Sequence, residues 1–430
     1  MRCCAHLELC FRIGDFRIIE GQRKQILREM QEHYMFVIGS GFSVPAGLKT
    51  GRQLNDCIKN AGKLPIAFHT SGALVINKDG TKPDFGFPTS YDETFGFCLR
   101  LMEKYCDTHD FDYEEFYDYF MELNRRANFK DQGKELQDLY PLLPSSGYYS
   151  INREESKRGL LLHIQLGGLS HIYQELVNYL LILPKQVDYT KYEGWCTYIR
   201  SLVEQGNIVD IYSLNHDTLI EDLMKHYGLS EYMCDGYSLE SSPFYGKTNE
   251  EEVTLAYYTN RYDKPIRLHK LHGSISYYAF YRETEPGQLK VENMIKRPWG
   301  LEEWDLYYKG QDSMHKAEKA RGMLGMEADF LTGATEKVHR YESSIYYKPQ
   351  FADFERDLAV AKQVIAIGYG FRDYKVDEIV EKNLRGDTRC VVVDPFPRKE
   401  AMDEAQKILA KPEFMAKSID KVDWNKIEEL

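Results

Sequence analysis

Five short segments of this 430-residue sequence place polar or titratable residues, in three of them with glycine, directly after an apolar run. The first is Gly39-Ser40-Gly41-Phe42-Ser43, continuing as Val44-Pro45-Ala46-Gly47. Small residues after a buried strand let backbone N–H groups approach a phosphate at the start of the following helix. The segment is neither a Gly-x-Gly-x-x-Gly fingerprint nor a P-loop, since no third glycine falls at the required offset and no Gly-Lys-Ser/Thr follows. A tight turn without a ligand is the plain alternative. The second segment, Ser213-Leu214-Asn215-His216-Asp217, places Asn215 and Asp217 where a strand would end. In open α/β sheets ligands bind at the carboxyl ends of strands. Capping the next helix would account for Asp217 but not for Asn215.

The third segment, Leu268-His269-Lys270-Leu271-His272-Gly273, puts His272 at a strand exit. An imidazole there can titrate near neutral pH and act as a general base, or can simply be a hydrogen-bonded structural histidine. The fourth is the glycine turn Gly368-Tyr369-Gly370, running on into Phe371-Arg372-Asp373. The fifth is Asp394, which closes Val391-Val392-Val393 ahead of Pro395. Such an aspartate can accept hydrogen bonds from ribose hydroxyls or merely form a turn.

These residues need strands to bring them together. The run Tyr34-Met35-Phe36-Val37-Ile38 reads as a buried strand that leads through the glycine loop into a helix over 48–60, after helical spacing across 16–33. Further buried strands are predicted at 208–213, 266–271, 364–368 and 389–394, and helices at 218–226, 351–362 and 374–384. The block between the first helix and the second strand reads as helical, with candidates at 91–106, 111–128, 160–183 and 192–205. The expected fold is therefore an α/β, doubly wound parallel sheet with a large helical insertion. Its parts are an N-terminal helical leader (1–32), a nucleotide-binding core (33–60 and 207–410), the helical insertion (61–206) and a charged C-terminal tail (411–430). Within the core, 283–336 is polar, with turns at Pro286-Gly287 and Pro298-Trp299-Gly300 and several charge clusters, and reads as a surface insertion or mobile loop without sheet strands.

Composition narrows the function classes. With 43% hydrophobic and 28% charged residues the chain falls among globular proteins. A formal net charge of −12 argues against a dedicated nucleic-acid surface, which needs clustered Lys and Arg. No apolar run approaches the roughly 20 residues that span a bilayer, and the first residues lack the pattern of a secretory signal, so no membrane contact and a cytoplasmic location are expected. Nine cysteines, with no Cys-x-x-Cys pair, read as free thiols.

Taken in order, the glycine loop, the Asn-x-Asp, the His-Gly and the late Gly-x-Gly resemble the sirtuin superfamily, and specifically its bacterial sirtuin-like branch in antiphage defence. Residues 39–47 look like the family's Gly-Ala-Gly-x-Ser loop with Ser40 in place of Ala. Residues 213–217 look like its Thr-x-Asn-x-Asp motif, and His272-Gly273 matches its catalytic dipeptide. The resemblance covers roughly 33–60, 207–275 and 351–396. It implies a Rossmann-like nucleotide-binding core and an NAD⁺ glycohydrolase that releases nicotinamide and ADP-ribose, with NAD⁺ as substrate.

By the same resemblance Asn215, Asp217 and His272 would be catalytic. Gly39, Ser40, Gly41, Phe42, Ser43, Gly368, Gly370 and Asp394 would bind the nucleotide. The Cys₄ zinc module of the protein-deacylating members has no counterpart here, so no zinc is expected and deacylation becomes the alternative. A non-catalytic NAD⁺ or ADP-ribose sensor is a second alternative. The implied partners are further copies in a homo-oligomer, or a separately encoded hexameric translocase-type ATPase or short Argonaute-type protein.

Overall fold

The computed structural model describes residues 31–70, 72–77, 79–86, 88–128, 133–144, 155–247, 252–285, 288–297, 306–308, 322–330 and 344–427. The expected N-terminal leader lies almost entirely outside these residues.

Seven parallel strands form the main sheet, in the spatial order Glu413–Met415, Arg389–Val393, Ala361–Ile367, His33–Ile38, Ile208–Ser213, Ile266–Lys270 and Met233–Cys234. Apolar side chains alternate along the strands between two buried layers. Tyr34, Phe36, Ile38, Val209, Ile211, Ile365 and Ile367 enter one, where helices Glu193–Glu204 and Leu219–His226 pack. Met35, Val37, Tyr212, Val364 and Ala366 enter the other, under helices Tyr347–Leu358, Tyr374–Asn383 and Lys399–Ile408. A sheet covered on both faces produces the near-continuous apolar runs visible in the sequence. The architecture is α/β and doubly wound, as expected from the sequence.

Register brings the chemical segments together. Ile38 pairs with Ser213 and with Ile367, Ser213 with Lys270, and Ile367 with Val393. The residues that follow these partners, Gly39, Leu214, Leu271, Gly368 and Asp394, therefore leave the sheet along one line. From the strand His33–Ile38 the chain continues on one side of the sheet, and from Ala361–Ile367 it continues on the other. Their junction is a topological switch point, where open α/β sheets form their ligand crevice.

The helical insertion has its own core. Helices Ser90–Cys106, Tyr113–Asn128 and Glu155–Leu181 enclose Phe97, Leu101, Phe116, Phe120, Leu166 and Tyr173. The first of them starts with a capping box, in which Thr89 and Asp92 satisfy each other's backbone N–H groups. Glu193–Glu204 differs: its Trp195, Ile199 and Leu202 pack on the main sheet rather than on the insertion.

Two stretches depart from the sequence expectation. The polar segment 283–336 contains strands Gln288–Lys296, Leu306–Tyr308 and Gly322–Phe330. The first and last of these join Gly273–Glu285, Ala256–Arg261 and Gly236–Ser238 in a second, antiparallel sheet. A register shift at Phe280/Tyr281 interrupts the pairing, so the buried positions do not follow a clean period of two. The C-terminal tail is also structural: Glu413–Met415 pairs with Arg389–Val393, and Ile419, Trp424 and Ile427 are buried in the core.

Candidate active site

The site begins where two glycine loops meet at the switch point. The Gly39 N–H donates to the Ile367 carbonyl and the Gly41 N–H to the Gly368 carbonyl, both at 3.0 Å. Gly368 has φ +60, and a Cβ there would lie 2.3 Å from the Phe42 nitrogen. A Cβ on Gly39 would lie 2.5 Å from the Gly368 carbonyl oxygen. The loops pack backbone to backbone, so glycine is required at both positions whether or not a phosphate binds there. Around Gly370 the space is open.

Along the first loop the side chains diverge. Ser40 is exposed, whereas Phe42 is buried against Tyr192 and Trp195, with ring centroids 5.2 and 4.9 Å away. Tyr192 donates its hydroxyl to the Phe42 carbonyl at 2.8 Å, fixing the turn from below. Ser43 is 2% exposed, and its hydroxyl donates to Asp217 Oδ2 at 2.8 Å.

Asn215 completes this network. Its Nδ2 donates to the Gly39 carbonyl and to Ser43 Oγ, each at 3.0 Å. A backbone carbonyl can only accept, so the amide orientation is determined: Nδ2 faces the protein. Oδ1 is left as an acceptor with no partner among the described residues. Asp217 Oδ1 accepts from the Leu219 N–H at 3.0 Å, an Asx-type turn one residue ahead of the helix N-cap, which is Thr218 rather than Asp217. Its Oδ2 serves Ser43 as well, so one carboxylate fastens both the helix and the loop. Burial pushes the Asp217 ionisation upward, and the Lys270 ammonium, the Leu219 N–H and the Ser43 hydroxyl oppose that shift.

Sequence reasoning misses Lys270. It is fully buried at the end of its strand, donates to the carbonyls of Asp217 and Asn215, and lies 3.4 Å from Glu221. A lysine at the last position of a buried strand is the local sign of this role. The cation neutralises the carboxylate beneath the loop and holds the Asn215–Asp217 backbone in place.

His272 is 6% exposed, with its ring centroid 6.1 Å from that of His216. Its Nε2 lies 2.9 Å from Asp373 Oδ2, out of line for a hydrogen bond, so the contact is an ion-pair distance. Asp373 Oδ1 meanwhile accepts from the N–H groups of Lys375 and Val376, capping helix Tyr374–Asn383. In the sequence Asp373 is only the end of the late glycine turn; its position beside an imidazole 101 residues earlier is a tertiary fact. The intervening turn is held by Tyr369, which donates to Asp377 at 2.7 Å. Burial raises the Asp377 carboxyl to about 7. Asp394 is half-buried at the mouth and accepts from the Phe396 N–H at 2.8 Å, as a turn-forming aspartate does.

Of the residues marked in the sequence, Gly39, Ser43, Asn215 and Asp217 form one hydrogen-bonded unit, and Gly41 and Gly368 interlock beside it. His272 stands across from it with Asp373. Gly370 and Asp394 occupy the adjoining rim.

No family model matches the chain, and no curated protein matches it. Among solved structures it is similar to one described as the structural basis for the mechanism and regulation of Sir2 enzymes, 9% identical with a TM-score of 0.35, covering 95% of this chain and 94% of that one. It is also similar to a Sir2 with a p53 peptide and NAD⁺, 10% identical with a TM-score of 0.31, covering 95% of this chain and 97% of that one. A Sir2 bound to a propionylated peptide is 10% identical with a TM-score of 0.34, covering 95% and 97%. Likeness this coarse leaves the functional reading to the residues of the site.

Proposed function

We propose that this chain is an NAD⁺ glycohydrolase, which with one water converts NAD⁺ into nicotinamide, ADP-ribose and a proton. The observation that carries the reading is the convergence of Asn215, Asp217 and His272 with two interlocked glycine loops at one switch point. In the Gly39–Ser43 loop the N–H groups of Gly39, Gly41, Phe42 and Ser43 are bonded within the protein, so the Ser40 N–H is the one that would meet a pyrophosphate, and Asp394 at the rim would meet a ribose. When the N-glycosidic bond breaks, positive charge develops on the ribose ring, and a water must reach its anomeric carbon. Asn215 presents Oδ1, an acceptor suited to orient that water or a ribose hydroxyl. His272 accepts the proton the water loses, and Asp373 stabilises the resulting imidazolium.

Constant hydrolysis would deplete the cell that makes the enzyme. The proposal therefore extends to an antiphage effector held in check by self-assembly or by a separately encoded partner. The test is incubation with NAD⁺ without any acyl-peptide, with products identified by mass spectrometry, for wild type, Asn215→Ala and His272→Ala. Nicotinamide and ADP-ribose from wild type alone support the proposal. Turnover that needs an acyl-lysine peptide would make the chain a deacylase, and binding without turnover would make it a sensor.

A further inference from the structure

Beneath the site, on the face of the sheet covered by helix Tyr347–Leu358, three buried side chains converge: Asp210, His269 and Asp357. One ligand atom from each lies within 4.8 Å of the others. His269 Nδ1 is 2.9 Å from Gln350 Oε1, and Gln350 Nε2 donates to the hydroxyls of Tyr258 and Tyr262 at 2.7 and 2.8 Å. Tyr258 donates its own hydroxyl hydrogen to Asn260 Oδ1 at 2.8 Å and so accepts from Gln350, which turns the glutamine oxygen toward the imidazole; Nδ1 then carries the hydrogen and Nε2 bears a lone pair. Tyr212 and Tyr262 sandwich the ring, with centroids at 4.4 and 4.0 Å, and prevent it from turning.

A buried lone pair thus stands among two carboxylates. His269 Nε2 and Asp210 Oδ1 both make no hydrogen bond among the described residues. Leaving such atoms unpaired is costly, and lone pair against carboxylate is repulsive unless something positive lies between them.

We infer that Asp210, His269 and Asp357 form a binding site for one divalent transition-metal ion of the Zn²⁺ class. Imidazole with carboxylates is a donor set for such ions, and a ligand histidine whose second nitrogen is fixed by an outer hydrogen bond is their usual arrangement. The carboxylates are braced in the same way. Asp210 Oδ2 lies 2.9 Å from His33 Nδ1, while Asp357 accepts from Tyr212 at 2.7 Å and from Arg356 at 2.9 Å. Tetrahedral nitrogen and oxygen donors around such an ion lie roughly 3.3–3.6 Å apart, so closure from 4.8 Å needs about 1.5 Å of side-chain movement at the widest. Arg267 Nη1 lies 3.6 Å from Asp210 Oδ1, beyond hydrogen-bond reach, and Arg356 Nε donates to Asp357 Oδ1; both guanidiniums oppose a cation, while each carboxylate oxygen keeps a further lone pair. The ion would tie together the two strands that end in Asn215 and His272. The inference does not depend on the reaction proposed above.

Full-length protein stripped with a chelator is titrated with Co²⁺ alone, then with competing Zn²⁺. Expected are one Co²⁺ per chain with visible d–d absorption, displacement by Zn²⁺, and a rise in Tm on loading. In folded Asp210→Asn or His269→Gln the affinity should fall by more than about 100-fold, beyond the range for loss of an outer-shell partner. X-ray absorption of the wild-type Co²⁺ form should show one imidazole nitrogen with oxygen donors and no sulfur, a readout that stands even if the variants do not fold. Failure of wild type to take up stoichiometric metal, uptake unchanged in a folded variant, or sulfur in the coordination shell would each overturn the inference.

Discussion

Replacing Ser43 by alanine removes a single oxygen from the centre of the site. That oxygen donates to Asp217 and accepts from Asn215 in a buried position. A hydrogen bond to a charged partner contributes about 1.5–3 kcal/mol, and a neutral one about 1 kcal/mol. Asp217 keeps the Leu219 N–H and Lys270, and Asn215 keeps the Gly39 carbonyl, so the network is weakened rather than dissolved. The expected loss of stability is about 3 kcal/mol, roughly a 100-fold change in the folded-to-unfolded ratio. Losing one of its two tethers, Asn215 should drift enough to lower kcat about 10- to 100-fold while KM changes little. Urea unfolding followed by tryptophan fluorescence measures the first effect, with Trp195 packed on Phe42 beside the loop as a reporter. Initial rates of nicotinamide release measure the second. A raised KM with unchanged kcat and stability would refute the reasoning, because it would mean that the hydroxyl touches substrate instead of holding Asn215.

Asp373→Asn should retain the helix cap, since asparagine caps as well as aspartate, and leave stability within about 1 kcal/mol. It removes the charge beside His272, so kcat should fall about 10- to 1000-fold; an unchanged kcat counts against the pair. Asp377 has a folded ionisation near 7 against an ordinary 3.8. The folded state therefore holds a proton that the unfolded state releases, and stability falls as pH rises from about 4 to 7, then levels off. Asp377→Asn should abolish that loss and stabilise the protein at pH 8 by about 1–2 kcal/mol, discounted for solvent screening, with no gain at pH 4; Tm measured across pH for both proteins decides. Gly368→Ala places a Cβ in a left-handed backbone and against the Phe42 nitrogen, and should cost about 3 kcal/mol or more and abolish NAD⁺ binding by parting the loops. Calorimetric titration with NAD⁺ at wild-type affinity would show that the contact is dispensable.

Much of the main sheet is legible in the amino-acid sequence alone. The runs at 34–38, 208–213, 364–368 and 389–394 are strands because both faces of the sheet are buried, and burial on both faces writes itself into largely apolar runs, while 266–271 alternates apolar with polar residues. Glycines and polar residues at their ends mark the exits. The antiparallel sheet is not legible: Gln288–Lys296 carries charge on its open face, and a register shift breaks its alternation. Nor is the C-terminal edge strand, whose three residues are too short to show a period.

The site divides along the same line. Asn215, Asp217 and His272 stand out because their types and their places at strand ends are local properties. What each side chain does is decided by partners distant in sequence. Ser43 meets Asp217 across 174 positions and Asn215 meets Gly39 across 176, while Lys270 supports both from a neighbouring strand. Asp373 reaches His272 because Ile367 and Lys270 end at the same level of one sheet. Local pattern states where strands begin and end; strand order and register, which depend on the whole chain packing at once, determine which residues meet.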